Sequence, residues 1–234
     1  MSTLPSKPSS PAGSRVERRP LARATVAPVL PLALLHRIRE RDRPQEVLED
    51  EDLAISLPRR LGLTVVVESQ IQRYEEAARR NQPIQADEAG DLLRLVLRRP
   101  DAEAILREAG HDIARRGFGD RRITAAAIRF MPKAIAYAVI RRKTQNVLRR
   151  IVGRGRIRIT GRPLLIRMAN ALTAAVDAGG TACLLYAAVA EELVYRYTQR
   201  RPVVTHTRCQ ARGDAFCEWE CGETRPSQGP PRTG

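Results

Sequence analysis

The sequence predicts an α+β domain, an antiparallel sheet with several helices packed on it. Three observations carry that expectation. Apolar residues recur at helical spacing through residues 71–113 and again in a long apolar-basic segment up to Ile151. The pattern switches to period two at Arg156-Ile-Arg-Ile-Thr160, the mark of a strand with one buried face. Helical spacing returns over 181–198, and a cysteine-rich hairpin follows. Helices, hairpin, helix and hairpin in that order segregate helices from an antiparallel sheet.

The elements follow in order. Residues 1–20 are rich in Ser, Pro, Gly and Arg and read as disordered. Residues 24–57 alternate short apolar runs with prolines and the acidic patch Glu49–Asp52, which suggests a loosely held arm with one short helix. The expected division is therefore an arm over 1–60, a folded domain over 61–222 and a disordered tail over 223–234. Thr64–Glu68 reads as a short strand or as the entry to a helix carrying Ile71, Tyr74, Ala77 and Ala78. Asp87 is the expected N-cap of a helix through Leu97, and Pro100-Asp101 opens another with Ile105, Leu106, Ala109 and Ile113. Pro132 divides Ile123–Ile151 into two helical pieces. A turn at Gly161-Arg-Pro163 pairs the 156–160 strand with Leu164–Met168. The last hairpin has strands over 203–209 and 215–220 and a turn near Gly213-Asp214.

Charge is unevenly placed. The net charge is +15, and from Arg121 to Val176 there are fourteen Lys or Arg residues and no Asp or Glu. Such a window is either a solvated basic face or an attractor of anions. Its only aromatics are Phe130 and Tyr137, too few for base stacking, which disfavours nucleic acid and leaves peripheral membrane contact open. The apolar stretch Ala24–Leu35 holds Pro28 and Pro31 and is too short to span a bilayer. Arg18-Arg19 precedes it without a small-x-small cleavage site, so the expected location is the cytoplasm.

The chemistry concentrates near the C-terminus. His206, Cys209 and Cys217 lie within twelve residues around a Gly-Asp turn, and Cys183 stands upstream beside Gly179-Gly180. Without a secretory leader, cysteines point to metal or thiol chemistry more than to disulfides. Cys209 and Cys217 are symmetric about Gly213 and oppose each other in a three-residue turn, which suits a shared metal or a disulfide. His206 is three residues before Cys209, and a flat strand points such residues to opposite faces. Joint ligation needs a bulge, or Cys209 at an irregular strand end. Cys221 is the substitute ligand if His206 turns away. Four protein ligands would make a structural site; buried free cysteines with a surface histidine remain the alternative. The only Gly-rich stretch, Gly153–Gly161, lacks dinucleotide spacing and leads into a strand, so no NAD(P) or flavin motif is found.

Thr207-Arg-Cys-Gln-Ala-Arg-Gly-Asp-Ala-Phe-Cys-Glu-Trp-Glu220 resembles the closing motif of the vinyl-reductase domain family: a Cys, a Gly-Asp turn, a second Cys, then an aromatic. Ala104–Gly110, Gly153–Ile159 and Cys183–Ala188 are similar to segments of its bacteriochlorophyll-biosynthesis members, and the resemblance covers roughly residues 62–222. It implies a fold similar to the ligand-binding domains of nitric-oxide signalling and Golgi transport. Phenol-sensing relatives bind an aromatic effector beside a structural zinc held by a distant Cys, a Glu and two hairpin Cys. Those positions fall here on Cys183, His206, Cys209 and Cys217, with His in place of Glu. The implied role is in bacteriochlorophyll or chlorophyll biosynthesis, binding a divinyl protochlorophyllide- or chlorophyllide-type tetrapyrrole, nominally for 8-vinyl (older 4-vinyl) reduction. Vinyl reduction needs a hydride and a proton source, so binding or carrying the pigment is the expectation and no catalytic residue is assigned. The candidate pigment contacts are Arg158 or Arg167 for a carboxylate, Tyr186, and His111 for a chlorin magnesium. The alternative is a small-molecule sensor module acting through a partner protein. Relatives pair through this domain, so a homodimer is an open expectation.

Overall fold

The computed structural model describes residues 24–42, 65–118, 132–152, 155–161 and 164–222. It is α+β. The chain runs β1 (Thr25–Val26), α1 (Val29–Arg41), α2 (Val65–Arg79), β2 (Ile84–Gln85), α3 (Ala86–Leu97), α4 (Ala102–Phe118) and α5 (Lys133–Ile151). It continues through β3 (Arg156–Thr160), β4 (Leu164–Ala169), α6 (Leu172–Val176), a single turn at Thr181–Cys183, α7 (Leu184–Thr198), β5 (Val203–Arg208), a second turn at Gln210–Arg212, and β6 (Cys217–Gly222). Strands β3–β6 form one antiparallel sheet in the order β3-β4-β6-β5, and β1 pairs with β2 separately.

Period-two alternation decides the sheet's two faces. Ile159, Ile166, Trp219 and His206 form one row across the four strands on the inner face. Ile157, Met168 and Cys217 form the next, all buried. Arg158, Arg167 and Glu218 are paired neighbours on the outer face.

Helix α7 is the central element, buried over Leu185–Ala190 and at Glu192, Leu193, Val194 and Tyr197. It crosses α4 at Gly110. A Cβ there would stand 2.6 Å from the Leu185 carbonyl oxygen and 2.7 Å from Ala188 Cβ, so only glycine permits the approach. Two buried carboxylates sit by this crossing: Asp112, which pairs with Arg37 and Arg115, and Glu192, which pairs with Arg115 and Arg196. Their cations offset a desolvation cost that an unpaired carboxylate could not bear.

Several expectations are corrected. Residues 24–42 belong to the fold rather than to a loose arm. Leu30 and Leu34 are fully buried in the main core, and Leu32 and Leu35 pack with Ile71 and Tyr74. Pro28 and Pro31 misled because they flank the start of α1, at the N-cap and within the first turn. Proline is tolerated there, since its missing N–H would find no intrahelical partner. Of the two readings for 64–68, residues 65–68 take the helical one. Gln85, not Asp87, is the N-cap of α3, and Asp87 lies in its first turn. The second piece of the 123–151 segment is α5, starting after Pro132. The first piece, most of the 1–60 arm and the tail after Gly222 lie outside the described residues. Among the described residues no helix is long and apolar enough to cross a membrane.

Candidate metal centre

Three chain segments build the site. The first is the turn before α7. Asp177 accepts hydrogen bonds from the N–H groups of Gly179 (2.8 Å) and Ala182 (2.7 Å), fixing the turn that presents Cys183. Gly180 has φ +83°, and a Cβ on it would lie 2.7 Å from Cys209 Sγ. Its missing side chain is what lets the hairpin sulfur come close.

The second is β5. Its register with β6 runs Thr205↔Glu220 and His206↔Trp219, then shifts to Arg208↔Glu218. One extra residue, Thr207, has entered the strand. The bulge reverses the alternation once, so His206 and Cys209, three apart, face the same way. The Thr207 hydroxyl donates to Glu218, to its carbonyl at 3.3 Å and its carboxylate at 3.2 Å.

The third is the hairpin turn. Cys209 N–H donates to Asp214 Oδ2 at 2.6 Å, and Gln210 N–H donates to Cys217 Sγ at 3.3 Å. Gly213 takes φ +105°. Gln210 Oε1 accepts from Asn170 N–H at 2.8 Å, tying the turn to the end of β4.

The result is a cluster in which one ligand atom each from Cys183, His206, Cys209 and Cys217 lies within 4.8 Å of the others. The three cysteines are buried and all four thiols of the described chain are free. His206 stacks on the Trp219 ring at 4.8 Å and 9°. Its Nδ1 is 3.4 Å from the Arg212 guanidinium, while Nε2 is buried with no hydrogen-bond partner. A buried ring nitrogen without a partner, next to three sulfurs, is what a metal ion would satisfy. Cys183 Sγ sits 4.0 Å from Cys217 Sγ and 3.3 Å from the Thr173 hydroxyl. Cys217 is drawn down, chiefly by the Cys183 thiol beside it, then by the His206 ring and the Gln210 amide. Cys183 is pushed up, by that same contact and by burial. Of the two touching thiols, ionisation is favoured at Cys217. This Cys3His cluster can hold a metal ion, and with four protein ligands it leaves no open position for substrate.

The other candidate residues do not gather here. Cys221 is buried apart from the cluster, its thiol pushed up to about 12 by burial. Tyr186 is interior, edge-on to Trp219 at 6.0 Å, and its hydroxyl donates to the Ile151 carbonyl at 3.4 Å. Arg158 and Arg167 stand on the opposite face of the sheet from Tyr186, so they do not line one pocket with it. Arg167 Nε pairs with the buried Glu218 at 2.5 Å, and its guanidinium lies 5.2 Å from the Phe216 ring. That contact holds the Glu218 carboxyl below its ordinary range. His111 is on α4, with Nε2 3.7 Å from Glu191 of α7. Sequence reasoning missed Asp177 and Thr207, and it named Gly180 and Asp214 only as parts of the Gly-Gly pair and the Gly-Asp turn beside the cysteines. No family model, curated protein or solved structure matches this chain.

Proposed function

We propose that the Cys183–His206–Cys209–Cys217 cluster is a structural zinc site that clamps the C-terminal hairpin to the start of α7 in a small-molecule-binding domain of the vinyl-reductase type. The juxtaposition of the four ligand atoms within 4.8 Å carries this reading. Three thiolates and one imidazole are a soft, tetrahedral donor set that suits zinc. The α+β architecture and the hairpin motif support kinship with the nitric-oxide-signalling and Golgi-transport ligand-binding fold.

The guest we propose is a tetrapyrrole of the protochlorophyllide or chlorophyllide type, bound for bacteriochlorophyll biosynthesis as cargo or accessory rather than reduced by this chain alone. Trp219 Nε1 is buried without a hydrogen-bond partner, beside Tyr186 on the inner face. An acceptor on an apolar guest would relieve that cost. Both rings are about 1% exposed, so such a guest enters only by parting α7 from the sheet. The carboxylate role earlier expected of Arg167 is not retained, because Glu218 already neutralises it.

Elemental analysis of the purified protein tests the clamp: one zinc per chain is expected, lost in Cys209→Ser. Pigment titration tests the guest. Trp219 is the only tryptophan, so its quenching on titration reports binding at the inner face. A pigment spectral shift without loss of the vinyl group, with or without NADPH, is the expected outcome. Absence of both quenching and spectral shift would remove the pigment and leave the metal-clamped fold.

A further inference from the structure

The arginines fall into two populations. On and beside α1–α4 most are matched with carboxylates, among them Arg41 with Glu108, Arg73 with Glu88, Arg94 with Asp91, and Arg99 with both Asp42 and Asp101. On α5 and β3 they are not. Arg141, Arg142, Lys143, Arg149 and Arg150 on α5, with Arg156 and Arg158 on β3, are all exposed, and none forms an ion pair among the described residues. The sequence leaves them no local partner, because no Asp or Glu occurs between Arg121 and Val176.

The same helix exposes apolar surface. Ile135 is 51% exposed, and Ala134 and Ala138 beside it are also exposed. At 100° per residue, Ile135, Ala138, Arg142, Asn146 and Arg149 fall on one stripe, while Ile140, Val147, Leu148 and Ile151 turn into the core. The 19-residue helix is about 28 Å long, apolar at its N-terminal end and cationic beyond.

We propose that this outward stripe of α5 docks the protein on an anionic membrane surface. The cations meet lipid phosphates and Ile135 enters the headgroup layer. A field of one sign with no internal counter-charge is complementary to an anionic lipid plane. The apolar tip selects lipid over nucleic acid, because a duplex backbone offers nothing to an exposed isoleucine, and base stacking needs an exposed aromatic ring. Tyr137, the only aromatic residue on α5, is half-buried. The inference does not depend on the metal clamp or the pigment.

Co-sedimentation of the full chain with phosphatidylcholine vesicles, with and without phosphatidylglycerol, tests it. Binding is expected only to the anionic vesicles. Arg142→Gln/Arg149→Gln should weaken that binding about thirtyfold, two cations' worth of lipid attraction. Arg98→Gln/Arg107→Gln removes equal charge from exposed positions at the C-cap of α3 and on α4 and should leave binding nearly unchanged. Ile135→Asn should weaken vesicle binding without altering retention on heparin. All the substituted side chains are exposed, and thermal melts confirm that each variant folds. Equal losses in the two arginine pairs would reduce the effect to net charge and overturn the proposal. So would an Ile135→Asn variant that binds vesicles normally, or a duplex DNA that binds while anionic vesicles do not.

Discussion

At Gly180 a single absent Cβ decides whether the sulfurs can meet. The residue holds φ +83°, and the side chain it lacks would occupy space 2.7 Å from Cys209 Sγ. Gly180→Ala is expected to lower bound metal and to cost about 1–3 kcal/mol, the usual penalty for a non-glycine residue held in such backbone geometry plus a displaced sulfur. Elemental analysis and chemical denaturation measure the two effects, and full metal content with unchanged stability would show that the turn relaxes. The candidate ligands were legible residue by residue, because Cys and His near a Gly-Asp turn point to metal or thiol chemistry. Arg167 was not. Its residue type suggested an anion partner, and the structure supplies one internally as Glu218, two strands over in sequence but adjacent in the sheet. The pairing has a direction with pH. Glu218 is held below its ordinary 4.5, so its contribution is present above that value and is lost as the solution is acidified.

At the scale of the element, Thr207 matters more for its presence than for its chemistry. It is the extra residue of a bulge, and that bulge is what lets His206 and Cys209, three apart, both face inward. Inserting one alanine after Thr207 should set His206 and Cys209 four apart across a single bulge, send them to opposite faces and abolish stoichiometric metal binding, while Thr207→Ala keeps the count and should keep the metal. Metal content of the two variants, with far-UV circular dichroism as a check on folding, decides the point. The need for a bulge was visible in the three-residue spacing; its position was not, because register is set by pairing with β6. Helix α1 teaches the converse. Its prolines read as breakers in sequence, yet their place at the helix start makes them harmless, and only packing against Ile71 and Tyr74 and the main core shows the helix to be integral.

For the molecule as a whole, the clamp joins parts far apart in the chain: Cys183 at the entry to the central helix and Cys217 at the start of the last strand. Removing a bound metal with a chelator should therefore loosen the hairpin before the α4–α7 crossing. Hydrogen exchange should rise across 203–222 and 177–183 while the crossing at Gly110 stays protected, and uniform deprotection would mean that the clamp stabilises the entire fold. The acid dependence has a definite sign. Protons compete for His206 and the thiolates, so metal-linked stability is present at neutral and higher pH and falls on acidification. The melting difference between loaded and stripped protein should shrink as pH is lowered.

Local pattern was enough for the α+β class, the two hairpins, the candidate ligands and the one-sided charge. Each of these is written in residue type and short-range periodicity, which depend on the backbone's own geometry. Tertiary structure alone decided that α1 joins the core, that Tyr186 and the sheet arginines lie on opposite sides, and that Cys183 reaches the hairpin. Those are distances between segments. They are fixed by how helices and sheet pack and by which strands pair, and neither is encoded in the spacing along any one segment.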